Sequence, residues 1–313
     1  MRYPLTIQFF LFVIISSCSN SNSGQIKEGY SSPSNFTLIE DVVYGQDFGM
    51  ALTFDVYVPT KPNGAGIILT NSGGWTSPFD TFKVLEDGHY RFATDAEMTN
   101  SETWHVLSPK QLVSNGYTVF EVRHGSQPKF VMPEIVSHVR RSVRFIKHNS
   151  KDYGVDKNRI GLWGGSASGH LSLLIGLSPE IPITNNEKNG NKEDASIAAI
   201  VVFAAPSDLL KMVTDNPKEL EKRPVLRMEK KQYQEFSPVN YATMDDPPTL
   251  IMHGNTDKAV PIIQGELMYS ALKKAGVTAY FIEFKQTNHS PTLEQASKGV
   301  GEALDWFNKY LGE

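Results

Sequence analysis

The sequence predicts an α/β protein: a mostly parallel sheet of about eight strands flanked by helices on both faces. Three observations carry that prediction. Apolar runs of strand length alternate with segments of helical period along most of the chain. One of them, Gly66 to Thr70, is a continuous apolar run, as expected of a strand buried on both sides. One run, Arg159 to Trp163, empties into Gly164-Gly165-Ser166-Ala167-Ser168-Gly169-His170, a tight strand-to-helix turn that forces the Ser166 hydroxyl outward ahead of a helix N-terminus.

The N-terminus reads as a targeting segment. Arg2 precedes the apolar stretch Leu5 to Ile15, whose 11 residues are too few for a hydrocarbon core that needs about 20. Ile15-Ser16-Ser17-Cys18 resembles the lipobox of bacterial lipoproteins, which implies lipidation at Cys18, export, and a membrane anchor facing the periplasm or the cell surface. A conventional signal with soluble secretion is the alternative. Residues 1–17 are then the signal, 18–29 a Ser/Asn/Gly-rich tether, and 30–313 one domain. With a single cysteine the domain has no disulfide, and its stability rests on its core.

Phe36 to Tyr44 and Ala51 to Val58 alternate polar and apolar residues around Gly45 to Gly49, the pattern of an edge hairpin. Gly66 to Thr70 and Tyr117 to Arg123 read as strands. Pro133 to Asn149 has a helical period with Pro133 in the first turn. Strands are expected at Arg159 to Trp163, Ile197 to Ala204, Pro248 to His253 and Ala279 to Phe284, and helices at Pro261 to Ala275 and Gln295 to Leu311. Two stretches interrupt the alternation, near 75–114 and 206–246. Both leave the sheet at the carboxyl ends of strands, where they read as a pocket wall or lid, or else as surface insertions without a role.

A length of 313 residues suits one large α/β domain or two small ones, and the alternation, resumed after each interruption, favours one. A net charge of −4 argues against nucleic acid as a partner. There is no His-x-x-x-His or paired-cysteine spacing, so no metal or other cofactor is expected.

A serine hydroxyl becomes a nucleophile only beside a base that a third group orients. After Ser166 the chain offers Asp257, in the polar turn that follows the apolar Ile251-Met252-His253 run. His289 comes later, on the loop after the last strand. The order Ser, Asp, His matches a known arrangement on a parallel sheet. The elbow departs from G-x-S-x-G, since Ser168 stands at the last glycine and Gly169 follows.

With Asn71-Ser72-Gly73-Gly74-Trp75, Gly154 to Gly161, the elbow, Pro247 to Gly254 and the His289 loop, the chain resembles the α/β-hydrolase superfamily. The likeness is to its serine esterase branch of acetyl, acetylxylan and feruloyl esterases and relatives of hormone-sensitive lipase. It implies Ser166 as nucleophile, His289 as general base and then acid, and Asp257 as the residue orienting His289, with Asp208 the competing acid. It implies an oxyanion hole of the Ala167 N–H and an N–H from the Gly73-Gly74-Trp75 turn, although Asn71-Ser72 replaces the usual His-Gly. Trp75 either covers the acyl pocket or packs in the core. His124 is a second pocket candidate, whereas His253 reads as a backbone brace and His170 as packed beneath the elbow.

The implied activity is hydrolysis of short-chain acyl esters, on a small-molecule or carbohydrate ester, through an acyl-enzyme. The alternatives are a prolyl-oligopeptidase-like peptidase, although the chain has no room for a propeller, and a non-catalytic binding module on the same scaffold.

Overall fold

The computed structural model describes residues 36–78, 83–86, 89–92, 108–179, 193–215 and 217–312. The expected signal, Cys18 and tether lie outside these residues. Strands β1 (Phe36–Asp47) and β2 (Met50–Pro59) form the antiparallel hairpin. Its turn is tighter than expected, because Phe48 and Gly49 both adopt positive φ and reverse the chain in two residues.

The parallel part begins with β3 (Gly66–Asn71). A small separate pair follows, β4 (Lys83–Glu86) with β5 (His89–Phe92). The irregular stretch ends earlier than expected. Pro109–Ser114 is a helix, α1, with proline in its first turn and the Ser108 N–H donating to Gln111 Oε1 at 2.8 Å. Its Leu112 and Val113 are buried in the main framework. Next come β6 (Thr118–Arg123), α2 (Met132–His148), β7 (Ile160–Gly165), α3 (Ala167–Leu177) and β8 (Ala199–Phe203).

Three short helices, α4 (Leu209–Asp215), α5 (Glu219–Lys222) and α6 (Lys230–Glu235), occupy the second irregular stretch. The chain closes with β9 (Thr249–Gly254), α7 (Ile263–Ala275), β10 (Ala279–Phe284) and α8 (Leu293–Leu311).

Among the described residues one sheet of eight strands runs β1-β2-β6-β3-β7-β8-β9-β10, parallel from β6 onward. Both faces are covered over the central strands, which explains the continuous apolar run of β3, buried throughout. Ile68, Phe120, Val122 and Leu162 pack with Ile135, Val139, Val143 and Ile146 of α2 and with Leu171 and Leu174 of α3. On the other face Ile67, Leu69, Val119, Val201 and Phe203 meet Ala303, Phe307 and Leu311 of α8. Helix α3 is apolar nearly all round because it is enclosed, unlike the amphipathic α2 and α8.

The topology fixes the site. After β3 the chain crosses to β6 on one side, and after β7 it crosses to β8 on the other. Neighbouring strands β3 and β7 therefore send their loops in opposite directions and open a crevice at their carboxyl ends. The segment 206–246 packs beside it as a wall: its Val225, Leu226, Tyr233 and Phe236 are buried in the same core as α2 and α3.

Candidate active site

Strand β7 ends in Gly164-Gly165, and only small residues fit there. A Cβ on Gly164 would lie 2.4 Å from the backbone C and O of Ser168, and one on Gly169 2.8 Å from Ala205 Cβ. The chain turns into α3 through Ser166 at φ 52°, ψ −123°, a conformation that costs a non-glycine residue about 1–3 kcal/mol. The turn is held from below by the Ser166 N–H to Phe203 O at 2.9 Å. Ser168, in place of the usual glycine, closes the turn locally: its Oγ accepts from Gly165 N–H and donates to Gly165 O, both at 2.8 Å.

His289, on the loop after β10, brings Nε2 to 3.0 Å from Ser166 Oγ and Nδ1 to 2.6 Å from Asp257 Oδ2. With the hydroxyl donating to Nε2, the Nδ1–H donates to the carboxylate. Asp257, in the turn after β9, is buried and fixed in turn by Ala259 N–H at 2.8 Å and Val260 N–H at 2.9 Å on its Oδ1. Gly254 makes this approach possible, since a Cβ there would lie 2.4 Å from Thr287 O.

The competing acid, Asp208, is engaged elsewhere: its Oδ1 accepts the Lys211 N–H at 2.9 Å in the first turn of α4. His253 is the expected brace, with Nε2 2.8 Å from Val260 O, and burial lowers its pKa.

The turn after β3 supplies the facing wall. The Gly73 N–H donates to Thr76 O at 2.8 Å and the Thr76 N–H to Gly73 O at 3.0 Å. This corrects the expectation for Gly73, whose N–H closes the turn and is therefore not available to a ligand. Gly74 and Trp75 follow with φ of 56° and 62°. Among the described residues no acceptor is recorded for either N–H. The Ala167 N–H, at the first position of α3, has no intrahelical acceptor.

The Trp75 indole is 1% exposed and lies edge-on to His170, so the structure gives it the core-packing role and not that of a pocket cover. His124 is also buried. Its Nδ1 lies 2.8 Å from Gly125 O, and burial pushes its pKa down to about 4, so it sits behind the site as a neutral ring.

Three contributors are not apparent from the sequence. Asn71, at the position of the usual histidine, donates through Nδ2 to Pro78 O at 2.9 Å and to the buried Glu121 Oε1 at 3.1 Å, fixing the exit of β3. Gln127 donates through Nε2 to Gly74 O at 2.5 Å. Arg223 lies against Gly74, where a Cβ would meet its Nε at 3.2 Å. The missing His-Gly before Gly73 is the one sequence sign that this turn is supported differently.

The described residues contain no group of three His, Cys, Asp or Glu able to hold a metal, and no helix long and apolar enough to cross a membrane. Chemically, the arrangement holds a hydroxyl against an imidazole that a buried carboxylate orients, beside a turn and a helix start whose Gly74, Trp75 and Ala167 N–H groups are not used within the described backbone.

Residues 94–272 match the BD-FAE family, a stretch that contains Ser166 and Asp257 and ends before His289. Esterase LipQ of Mycobacterium tuberculosis is 26% identical over 209 residues, covering 63% of this chain and 48% of that protein. The probable carboxylic ester hydrolase LipM of the same organism is 27% identical over 204 residues, covering 62% and 46%. The acylamino-acid-releasing enzyme of Rattus norvegicus is 27% identical over 66% of this chain and 29% of its own length. The chain thus spans about half the length, or less, of these curated relatives.

Among solved structures, a truncated carbohydrate esterase from gut microbiota superposes with a TM-score of 0.67 at 21% identity, over 90% of this chain and 98% of that one. Esterase 2 of Thermogutta terrifontis with bound propionate gives 0.63 at 19% identity, over 87% and 93%. Fold, strand order and family match converge: this chain belongs to the BD-FAE family and has the α/β-hydrolase fold.

Proposed function

We propose that the protein is a serine carboxylesterase acting on short-chain acyl esters, with acylated carbohydrates as its substrate class. The observation that carries the reading is the continuous hydrogen-bonded line from Ser166 Oγ through His289 to Asp257, at 3.0 and 2.6 Å. In this reading Ser166 Oγ attacks the ester carbonyl while His289 Nε2 takes its proton. The oxyanion receives the N–H groups of Ala167, Gly74 and Trp75. The imidazolium, stabilised by Asp257, then gives its proton to the departing alcohol. A water molecule repeats the sequence on the acyl-enzyme and frees the acid. The curated relatives named for ester hydrolysis support the reaction class, and the carbohydrate esterase among the structural neighbours supports the substrate class.

Ser166→Ala should lower turnover of p-nitrophenyl acetate by at least ~10⁴-fold and abolish labelling by a fluorophosphonate, with the far-UV circular dichroism spectrum retained. Unchanged turnover would end the proposal. Acetylated xylan assayed beside acetyl, butyryl and feruloyl esters tests the substrate class. The likeness to an acylamino-acid-releasing enzyme favours one second reading, a peptidase, so acetylated dipeptides belong in the same panel. We further propose the lipid anchor at Cys18; Cys18→Ala should release the protein from membranes in cell fractionation.

A further inference from the structure

We propose that Gln127 and His170 are positioning residues: together they clamp the Gly73–Thr76 turn to the wall formed by residues 224–236 and so aim the Gly74 and Trp75 N–H groups into the crevice. The inference rests on the esterase reading above and deepens it by assigning what holds the oxyanion donors.

The turn is strained and therefore needs external support. Two consecutive residues are left-handed, and one of them is a tryptophan, which persists in that conformation only where its surroundings over-determine it. The surroundings do so group by group. Gly73 and Thr76 are bonded to each other. The Gly74 carbonyl accepts from Gln127 Nε2 at 2.5 Å and the Trp75 carbonyl from the Gln127 backbone N–H at 3.2 Å. The Trp75 indole N–H donates to His170 Nδ1 at 3.2 Å, and the Ser77 N–H to Ser126 Oγ at 2.9 Å. Among the described residues, the Gly74 and Trp75 N–H groups are left over, and they are the two an oxyanion would use.

Both clamps end on the same wall. Gln127 Oε1 accepts the Val225 N–H at 3.0 Å, and His170 Nε2 lies 2.7 Å from the Phe236 carbonyl. His170 is fully buried in the first turns of α3, and burial pushes its pKa down to about 4, so the ring is neutral near pH 7. A neutral ring that accepts at Nδ1 must carry its proton on Nε2, where it donates to Phe236. Each side chain thus accepts with one atom and donates with another, one gripping the turn and one gripping the wall. Neither group touches the reacting atoms. Their effect reaches the reaction only through the direction of the two N–H groups, which must lie about 2.7–3.1 Å from the oxyanion and not from the ground-state carbonyl. Losing a clamp should therefore weaken the transition state more than the bound substrate.

The test uses two substitutions: Gln127→Glu, which is isosteric and removes only a donor, and Trp75→Phe, which removes the indole N–H together with part of the buried ring. In Gln127→Glu the introduced carboxylate still accepts from the Val225 N–H but no longer donates to the Gly74 carbonyl. On p-nitrophenyl acetate each variant should lower kcat by roughly 10- to 100-fold with KM within about threefold. Affinity for a boronic acid that mimics the tetrahedral adduct should fall in parallel, while fluorophosphonate labelling still reaches completion. His170→Asn, which keeps an acceptor near the Nδ1 position, should retain more kcat than His170→Phe. If His170→Phe does not fold, Gln127→Glu and Trp75→Phe decide. Unchanged kcat and boronate affinity, or a rise in KM alone, would overturn the inference. Wild-type protein that neither turns over nor labels would instead defeat the esterase reading, and this inference with it.

Discussion

Two strained turns flank the crevice, and they differ in how much support comes from outside. The elbow after β7 is closed mainly by its own residues, with one bond from outside, the Ser166 N–H to Phe203 O. The two bonds between Ser168 and Gly165 span three residues, and Gly164 and Gly169 let strand and helix backbones touch. The turn after β3 has its own Gly73–Thr76 pairing but takes most of its support from outside, from Gln127 at 53 residues' separation, His170 at 95 and Asn71 through Glu121 at 50. A nucleophile needs one hydroxyl in one place, which a short run of small residues can secure. An oxyanion hole needs two elements aligned with each other, so its support must come from elsewhere in the fold.

If the comparison is right, glycine replacements on the two sides should differ sharply. Gly164→Ala would place a Cβ 2.4 Å from Ser168 backbone atoms and 2.7 Å from Gly169 N, and none of these can move without opening the elbow. We expect either no folded protein or a kcat loss of at least about 10²-fold on p-nitrophenyl acetate, as for a nucleophile displaced by an ångström. Gly74→Ala would meet only the Arg223 side chain, with Nε at 3.2 Å, and would add the strain of a left-handed alanine, about 1–2 kcal/mol. Equal losses of thermal stability in the two variants would break the distinction.

The same contrast sets what can be read from the sequence. The elbow, the chain order Ser, Asp, His and every strand of the main sheet are legible because their causes are local: apolar runs, small residues and polar turns after strands. Asp208 and Asp257 both lie between Ser166 and His289, so chain order does not choose between them; the resemblance favours Asp257, and the structure shows where the other carboxylate goes, into the first turn of α4. Gly73 is misread because a Gly-Gly pair signals a turn without saying which N–H the turn will consume. That depends on the Thr76 pairing three residues on. Gln127 and Glu121 carry no local signal at all. Their partners lie on other strands or across the crevice, so only the folded arrangement gives them a role.

Acid lability should arise on the turn side as well as at His253, whose pKa burial also lowers. His170 braces Trp75, and His124 follows β6 with its N–H 3.3 Å from Ser77 Oγ; burial lowers the pKa of both to about 4. In the unfolded chain each titrates near 6.5. Between about pH 6.5 and 4 the unfolded state therefore holds more protons than the folded one. Their contribution is complete above pH 6.5 and is lost as the pH falls, at about 1.4 kcal/mol per pH unit for each histidine. Urea unfolding at pH 7 and pH 5 should show a drop of a few kcal/mol, with a shallower slope in His170→Asn. A flat profile would mean that these rings are not held neutral.

The smallest expected effect concerns the elbow's own departure from pattern. Ser168→Gly restores the usual glycine, removes two hydrogen bonds to Gly165 and loosens the first turn of α3. A net hydrogen bond contributes about 1 kcal/mol, and a glycine within a helix costs a further 0.5–1, so the variant should lose about 2.5–3 kcal/mol in thermal unfolding. Its kcat should fall by less than tenfold, because Phe203 still anchors the Ser166 N–H and Gly164 still permits the close approach. A variant as stable as the parent would show that the close packing alone holds the elbow. In that case Ser168 would contribute nothing that the glycine lacks, and the self-closing of this turn would reside in Gly164 and Gly169.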